Sequence, residues 1–195
     1  MRELLRDLEY CVVNGVAAAT NPEGTASVRR TMRGITRHLT THVCAPGDGI
    51  LPPGAGTGTD LLTEDVLNAA LRTIWDVSQA RIDTIVCGGF QKRRINQFIG
   101  DRGYAPKDTK FKELVSVYES DYGVCKVILS RAVPTDQVLL LDSSRIQVMP
   151  LAGRSFHYKP LASTGDSHVG QVIGEYTLEL KNENAHGIID NLGLA

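Results

Sequence analysis

The sequence predicts an α+β fold, with helices early and a largely antiparallel sheet late. Three observations carry that expectation. Apolar residues recur at steps of three and four as far as Phe98, the spacing falls to two from Lys112 onward, and no internal repeat appears. With 195 residues and 21.2 kDa, the chain suits one domain, or two small subdomains sharing a core. At 42% hydrophobic and 22% charged, it can fold without metal or disulfide.

Residues 2–19 are predicted as a helix, since Leu4, Leu5, Leu8, Val12, Val16 and Ala19 form one stripe. No Ser, Thr, Asp or Asn precedes the stripe to cap its first N–H groups. Asn21-Pro22-Glu23-Gly24 ends it, because proline cannot continue a helix and glycine tolerates the reversal. Residues 25–42 are basic and ambiguous, a short helix or turn around Met32 and Ile35. Between 46 and 59, Gly47, Gly49, Pro52, Pro53, Gly54, Gly56 and Gly58 predict a mobile surface loop. Thr63 then caps a second helix with Glu64 and Asp65 in its first turn. Its buried stripe is Val66, Leu67, Ala70, Leu71, Ile74 and Trp75, fading near Ala80.

Residues 82–87 read as a short strand, and Gly88-Gly89 turns it into a third helix over 90–98, closed by Gly100. Strands at 113–120 and 124–130 flank Asp121-Tyr122-Gly123, a hairpin signal. Residues 137–142 are apolar on both faces and predict a central strand. Residues 145–149 alternate, with Ile146 and Val148 on one side. Tyr176, Leu178 and Leu180 point inward in the last strand, with Glu175, Thr177, Glu179 and Lys181 outward.

Charge and composition narrow the function. Twenty-one Lys and Arg against 22 Asp and Glu leave a net charge of −1, so wholesale basicity does not argue for nucleic acid. Apolar runs such as Val138-Leu139-Leu140-Leu141 fall far short of the roughly 20 residues that span a bilayer. Glu3, Asp7 and Glu9 rule out reading the start as a secretory signal. Cys11, Cys44, Cys87 and Cys125 lie among apolar neighbours with no CxxC, which predicts buried thiols in a reducing, cytosolic compartment.

Several fragments suggest chemistry, and each is incomplete. His38 and His42 sit at i, i+4 with Cys44 nearby, but a structural zinc site needs four ligands and no second cluster exists. Gly54 to Thr59 lacks the lysine and the leading strand of a phosphate loop. Gly165-Asp166-Ser167-His168 resembles the GDS box of some lipases, so a small serine hydrolase using Ser167 with His168 or His186 is the alternative from the enzyme class. That box lies late here, and His186 is preceded by Glu183 at the offset where an Asp belongs.

Two basic clusters remain. Arg29, Arg30, Arg33 and Arg37 would crowd one side of a helix and supply a nucleic-acid-binding module, the other alternative. Lys92, Arg93 and Arg94 open the third helix, where its dipole disfavours cations by about 0.3–1 kcal/mol at an exposed site. Such a cluster wants an external acid, either a phosphate or carboxylates on a neighbouring subunit. Neither patch has interleaved aromatics, which weakens single-strand binding.

Three stretches together resemble a known family. They are Gly89-Phe90-Gln91-Lys92-Arg93-Arg94-Ile95; Tyr118-Glu119-Ser120-Asp121-Tyr122-Gly123 with the strand after it; and a C-terminal block. That block runs Lys159-Pro160-Leu161-Ala162-Ser163-Thr164-Gly165-Asp166-Ser167, then Glu175-Tyr176 through Asn182-Glu183-Asn184-Ala185-His186-Gly187. In this order they resemble tailed-phage major capsid proteins with the Hong Kong 97-type fold. The resemblance implies a long spine helix, a mainly antiparallel sheet, and axial and peripheral subdomains. It divides the chain into 1–62 and 151–195, both peripheral in character, and an axial-type 63–150. It further implies a non-enzymatic subunit of an icosahedral shell, without cofactor, found in the virion and assembled in the bacterial host cytoplasm. Partners would be copies of itself in pentamer- or hexamer-type rings, other virion proteins and packaged DNA held non-specifically, with no membrane. Family members carry an N-terminal arm and extended loop upstream of the spine helix. Both are missing here, which implies a truncated or proteolysed chain or a degenerate prophage product.

Overall fold

Four consecutive apolar residues with no polar face must be covered on both sides, and Val138 to Leu141 are all buried. They form β5 (Val138–Leu141), near the middle of a six-stranded sheet. The computed structural model describes residues 2–21, 23–45, 61–101, 117–162, 165–166 and 168–194. The predicted loop at 46–59 and the first part of the 113–120 strand lie outside the described residues. Around β5 stand β1 (Val43–Cys44), β2 (Thr84–Cys87), β3 (Val117–Ser120), β4 (Gly123–Leu129) and β10 (Gly187–Ile189), in the order β1-β10-β5-β2-β4-β3. β5 is antiparallel to both its neighbours. The β1–β10 and β2–β4 pairs are parallel, the latter because a helix crosses between β2 and the β3–β4 hairpin. Gly123 closes that hairpin at φ +142°.

The sheet sorts its side chains by parity. Val138 and Leu140 join the larger core beneath α3 (Glu64–Ser78) and α4 (Gly89–Asp101), with Leu67, Ile74, Ile85 and Ile95. Leu139 and Leu141 point the other way, into a smaller core with Val13, Ile35, Leu39 and Ile188. Thr63 caps α3 as expected, its hydroxyl accepting the Val66 N–H. The helix ends on Gln79 in left-handed conformation, φ +53°, rather than on glycine. Trp75, expected in the buried stripe, is 54% exposed and stacks at its edge on Tyr122, centroids 6.1 Å apart.

The first helix departs most from expectation. α1 (Arg2–Asn14) stops short of Ala19, and Val13 is its one buried residue. Leu4, Leu5 and Val16 of the predicted stripe are 38%, 50% and 64% exposed. A close backbone crossing stops the helix: Gly15 donates to the Cys11 carbonyl at 2.9 Å, while its own carbonyl accepts the Gly34 N–H at 2.8 Å. A Cβ on Gly34 would lie 2.6 Å from the Val13 carbonyl oxygen. Beyond the crossing, residues 25–34 are turns and extended chain, and only α2 (Ile35–His38) is helical. Local bonds explain this, since Thr25 Oγ1 takes the Val28 N–H and Thr31 Oγ1 takes the Ala18 N–H.

Two two-stranded sheets complete the fold. β6 (Ile146–Pro150) pairs with β9 (Tyr176–Leu180), and β7 (His157–Pro160) with β8 (Gly170–Ile173), both antiparallel. Ile146, Leu178 and Leu180 pack on the smaller core, which is the inward face the alternation predicts. Phe156 and Tyr176 stack at 4.7 Å where the two pairs meet, and Tyr176 Oη accepts the Phe156 N–H. The four strands form an arm, called the ribbon below.

Two predictions follow from these contacts. Gly34→Ala should destabilise the fold by about 1–3 kcal/mol, whereas Gly89→Ala, with nothing within 4 Å of its Cβ, should be near neutral; urea titration of both separates the effects. The thiols should differ as sharply. Cys44, Cys87 and Cys125 are buried, with burial pushing Cys87 and Cys125 up to about 11, while Cys11 is exposed against expectation because it lies on the uncovered side of α1. Alkylation of the native protein near about pH 8 should label Cys11 alone, and unfolding should release the rest.

Candidate assembly surface

The ribbon cannot bury its own side chains, because two strands have no interior. No residue of β7 is buried, and in β8 only Ile173 is even partly so. Tyr158 is 64% exposed, Val172 38%, Leu161 42% and Val169 44%. Tyr158 and Val172 are direct cross-strand partners, so their apolar surfaces form one patch. Tyr158 also lies so close over Gly170 that any Cβ there would overlap its ring. Closer to the body, Val148, Met149 and Leu151 are 41%, 43% and 49% exposed. Sequence reading missed this surface because alternation shows which residues share a face, not whether anything covers it.

The positions that carried the family resemblance lie partly on the ribbon and partly on the body. Lys159, Pro160 and Leu161 are exposed on and just after β7, and Gly165 and Asp166 are exposed in the turn between β7 and β8, Gly165 at φ +75°. Thr164 lies outside the described residues. Glu175 takes two arginines, Arg30 at 2.8 Å and Arg154, and so ties the basic segment to the ribbon. Asn182 turns the chain at φ +53°. Glu183 accepts the Thr40 and Thr41 N–H groups at 2.6 and 2.8 Å. A Cβ on Gly187 would lie 2.6 Å from Ile74 Cδ1, so the strand packs tightly under α3. On α4, Phe90 is half-buried, and Gln91 is fully buried, donating to the Thr135 carbonyl at 2.9 Å.

The basic clusters are not what their spacing suggests. Arg29, Arg30, Arg33 and Arg37 are exposed, but they share no helical stripe, since residues 25–34 are not helical. Arg30 is engaged by Glu175, and Arg33 Nε donates to the Arg37 carbonyl at 2.8 Å. Arg33 and Arg37 line an open groove of about 660 Å³ with Val16, Thr36 and Leu39. The 92–94 cluster is also divided. Lys92 is half-buried, with Nζ 3.4 Å from the Val127 carbonyl, and burial lowers its pKa. Arg94 is half-buried and donates to Gln97 at 3.0 Å. Arg93 alone of the three is exposed.

The structure assembles no hydrolase site from the residues it describes. His186 is fully buried, and its Nδ1 accepts the Asp142 N–H at 3.1 Å. That bond is structural and takes the lone pair a general base would use. His168 is exposed, and Ser167 lies outside the described residues. Among the described residues, no His, Cys, Asp or Glu cluster of three is placed to hold a metal; His42 and Cys44 are buried, and His38 is half-exposed. No helix among the described residues is long and apolar enough to cross a membrane.

Comparison with known proteins agrees with this surface-dominated architecture. No curated protein matches the chain. Among solved structures, it resembles the SrpI encapsulin of Synechococcus elongatus PCC 7942 at TM-score 0.61 and 14% identity, over 99% of this chain and 63% of that one. It also resembles the capsid subunit of cyanophage A-1(L) at TM-score 0.55 and 15% identity, over 97% of this chain and 65% of that one. The chain thus spans less than two thirds of the length of these structures. Both likenesses give the Hong Kong 97-type fold. The model of the SU10 major capsid protein family matches residues 1–193, and the chain belongs to that family.

Proposed function

We propose that the protein is a structural shell subunit that works by joining copies of itself into an icosahedral capsid enclosing DNA, and that it catalyses nothing. The observation that carries this reading is the apolar ribbon surface. Burying a side chain such as Val172 or Leu161 fully is worth about 1.5–3 kcal/mol, and these stay in water in the lone subunit. Many modest contacts, repeated by symmetry, close a lattice that no one of them would hold.

In this reading α3, α4 and β2 to β5, within 63–150, form the axial-type part, with β10 and β1 joining their sheet. The rest of 1–62 and the ribbon, which opens with β6 and continues through 151–195, form the peripheral-type part, with α1 as its spine. Arg93 on α4 meets a carboxylate of the neighbouring subunit, whereas Lys92 and Arg94 serve their own subunit. Arg29, Arg33 and Arg37 face either a neighbour or packaged DNA. The protein resides in the virion, after assembly in the host cytoplasm.

Tyr158→Asp with Val172→Asp should leave the far-ultraviolet circular dichroism and the melting profile unchanged while abolishing concentration-dependent self-association in sedimentation velocity. Arg93→Glu should weaken association by about tenfold at low salt, and added salt should then restore association instead of weakening it. A wild-type chain that stays monomeric at every concentration would overturn the reading. So would a Tyr158→Asp, Val172→Asp variant that associates as the wild type does.

A further inference from the structure

The ribbon leaves the body and returns to it at one joint. The outgoing strand runs from β5 through Asp142 and a 3-10 turn (Ser143–Arg145) into β6. The returning strand runs from β9 through Asn182 and a second such turn (Glu183–Ala185) to His186 and β10. The two strands are tied by the Lys181 N–H on the Arg145 carbonyl at 2.8 Å and by the Asp142 N–H on His186 Nδ1 at 3.1 Å. Two carboxylates tie the joint to the body. Asp83, just ahead of β2, accepts the Ser143 N–H at 2.8 Å and the Ser143 hydroxyl. Glu183 accepts the Thr40 and Thr41 N–H groups at 2.6 and 2.8 Å and the Thr41 hydroxyl at 2.7 Å. Asp142 closes the outgoing turn, accepting from the Ser144 hydroxyl at 2.6 Å and Arg145 Nε at 2.9 Å.

The four side chains that accept in these ties are all bases. Asp83, Asp142, Glu183 and His186 each accept through lone pairs that a proton can occupy. The six-stranded sheet is held by backbone ladders and apolar packing that protons do not touch, whereas the ribbon shares that packing only at its root, through Ile146, Leu178 and Leu180. His186 is the most exacting member. With Nδ1 accepting, its hydrogen sits on the buried Nε2. A second proton would therefore set an Nδ1–H against the Asp142 N–H, donor against donor. We propose that this joint is a proton-released hinge, which fixes the ribbon to the body at neutral pH and frees it in mild acid while the main sheet stays folded.

The charged surroundings of His186 fit that direction. Burial lowers its pKa from 6.5, Asp142 raises it, the Lys181 carbonyl raises it, Arg145 lowers it and Glu183 raises it, with a net lowering. The other buried imidazole nearby is His42, ahead of β1, whose carbonyl accepts the Ile188 N–H. Burial acts to raise Asp83 and Glu183, but the bonds from Ser143 and from Thr40 and Thr41 outweigh it and hold both low. All three groups bind protons less readily folded than unfolded. Their stabilisation is present above the unfolded values and is lost as pH falls. Loss at His186 begins as pH drops below 6.5, and the carboxylates follow below 4.5 and 3.8. The hinge belongs to a single subunit and does not depend on shell assembly.

Amide hydrogen exchange, corrected for the intrinsic pH dependence of exchange, tests this on the whole chain. Between about pH 7.5 and about pH 5, peptides covering 142–146 and 181–186 should lose about tenfold protection while those covering β2 and β5 keep theirs. His186→Asn keeps an acceptor where Nδ1 stands but cannot titrate, and should remove the step. Should that variant fail to fold, exchange extended down to about pH 4 tests Glu183→Gln, which keeps one acceptor oxygen and should remove the part of the loss that begins below 4.5. Protection lost together in joint and sheet would overturn the hinge. So would a step that survives His186→Asn, or one abolished instead by His42→Gln.

Discussion

A two-stranded sheet has no inside, and that constraint governs this molecule. Wherever the chain forms more layers it behaves as an ordinary domain: β5 is covered on both faces, and α3 and α4 bury a continuous stripe. Where it forms two strands or one helix away from those layers, apolar side chains stay in water, as along β7, β8 and most of α1. A short helix with one buried residue gains little from its own packing and would be marginal alone. On the proposed reading neighbouring copies complete these surfaces, and the core of such a subunit need only be firm enough to present its edges.

The joint between body and ribbon reconciles these two characters. An arm whose outer strands have no core needs its direction fixed at its base, where Asp83, Asp142, Glu183 and His186 add directional bonds to the packing of Ile146, Leu178 and Leu180. Hydrogen bonds to charged groups are directional and roughly twice as strong as neutral ones, so a few of them can orient a long lever. Glu175, between Arg30 and Arg154, repeats the device further out and binds the chain after α1 to the ribbon. Several positions of the family-like C-terminal block therefore hold geometry rather than perform chemistry.

Much of the fold was legible because it rests on local pattern. Val138 to Leu141 announced a central strand by having no polar face, and Thr63 with Glu64 and Asp65 announced a helix start. What pattern could not show was tertiary. The end of α1 depends on Gly15 meeting Gly34, two residues far apart in sequence whose backbones cross. Trp75 lies on the apolar side of α3 by periodicity, yet the packing leaves it half in water beside Tyr122. The cationic clusters misled for a related reason: equal spacing along the chain does not mean equal surroundings, so Lys92 turns inward while Arg93 faces out. His186 looked like a candidate base in the sequence, but a fully buried ring bonded to a backbone N–H serves the fold.

The proposed function requires the ribbon to be a contact between copies. Hydroxyl-radical footprinting of dispersed and assembled protein, read by mass spectrometry, measures this directly at Tyr158, Leu161 and Val172. All three should be labelled in the dispersed subunit and protected on assembly, with an added free peptide as the reference for uniform dose. Assembled particles in which these three side chains remain as reactive as in the free subunit would contradict it.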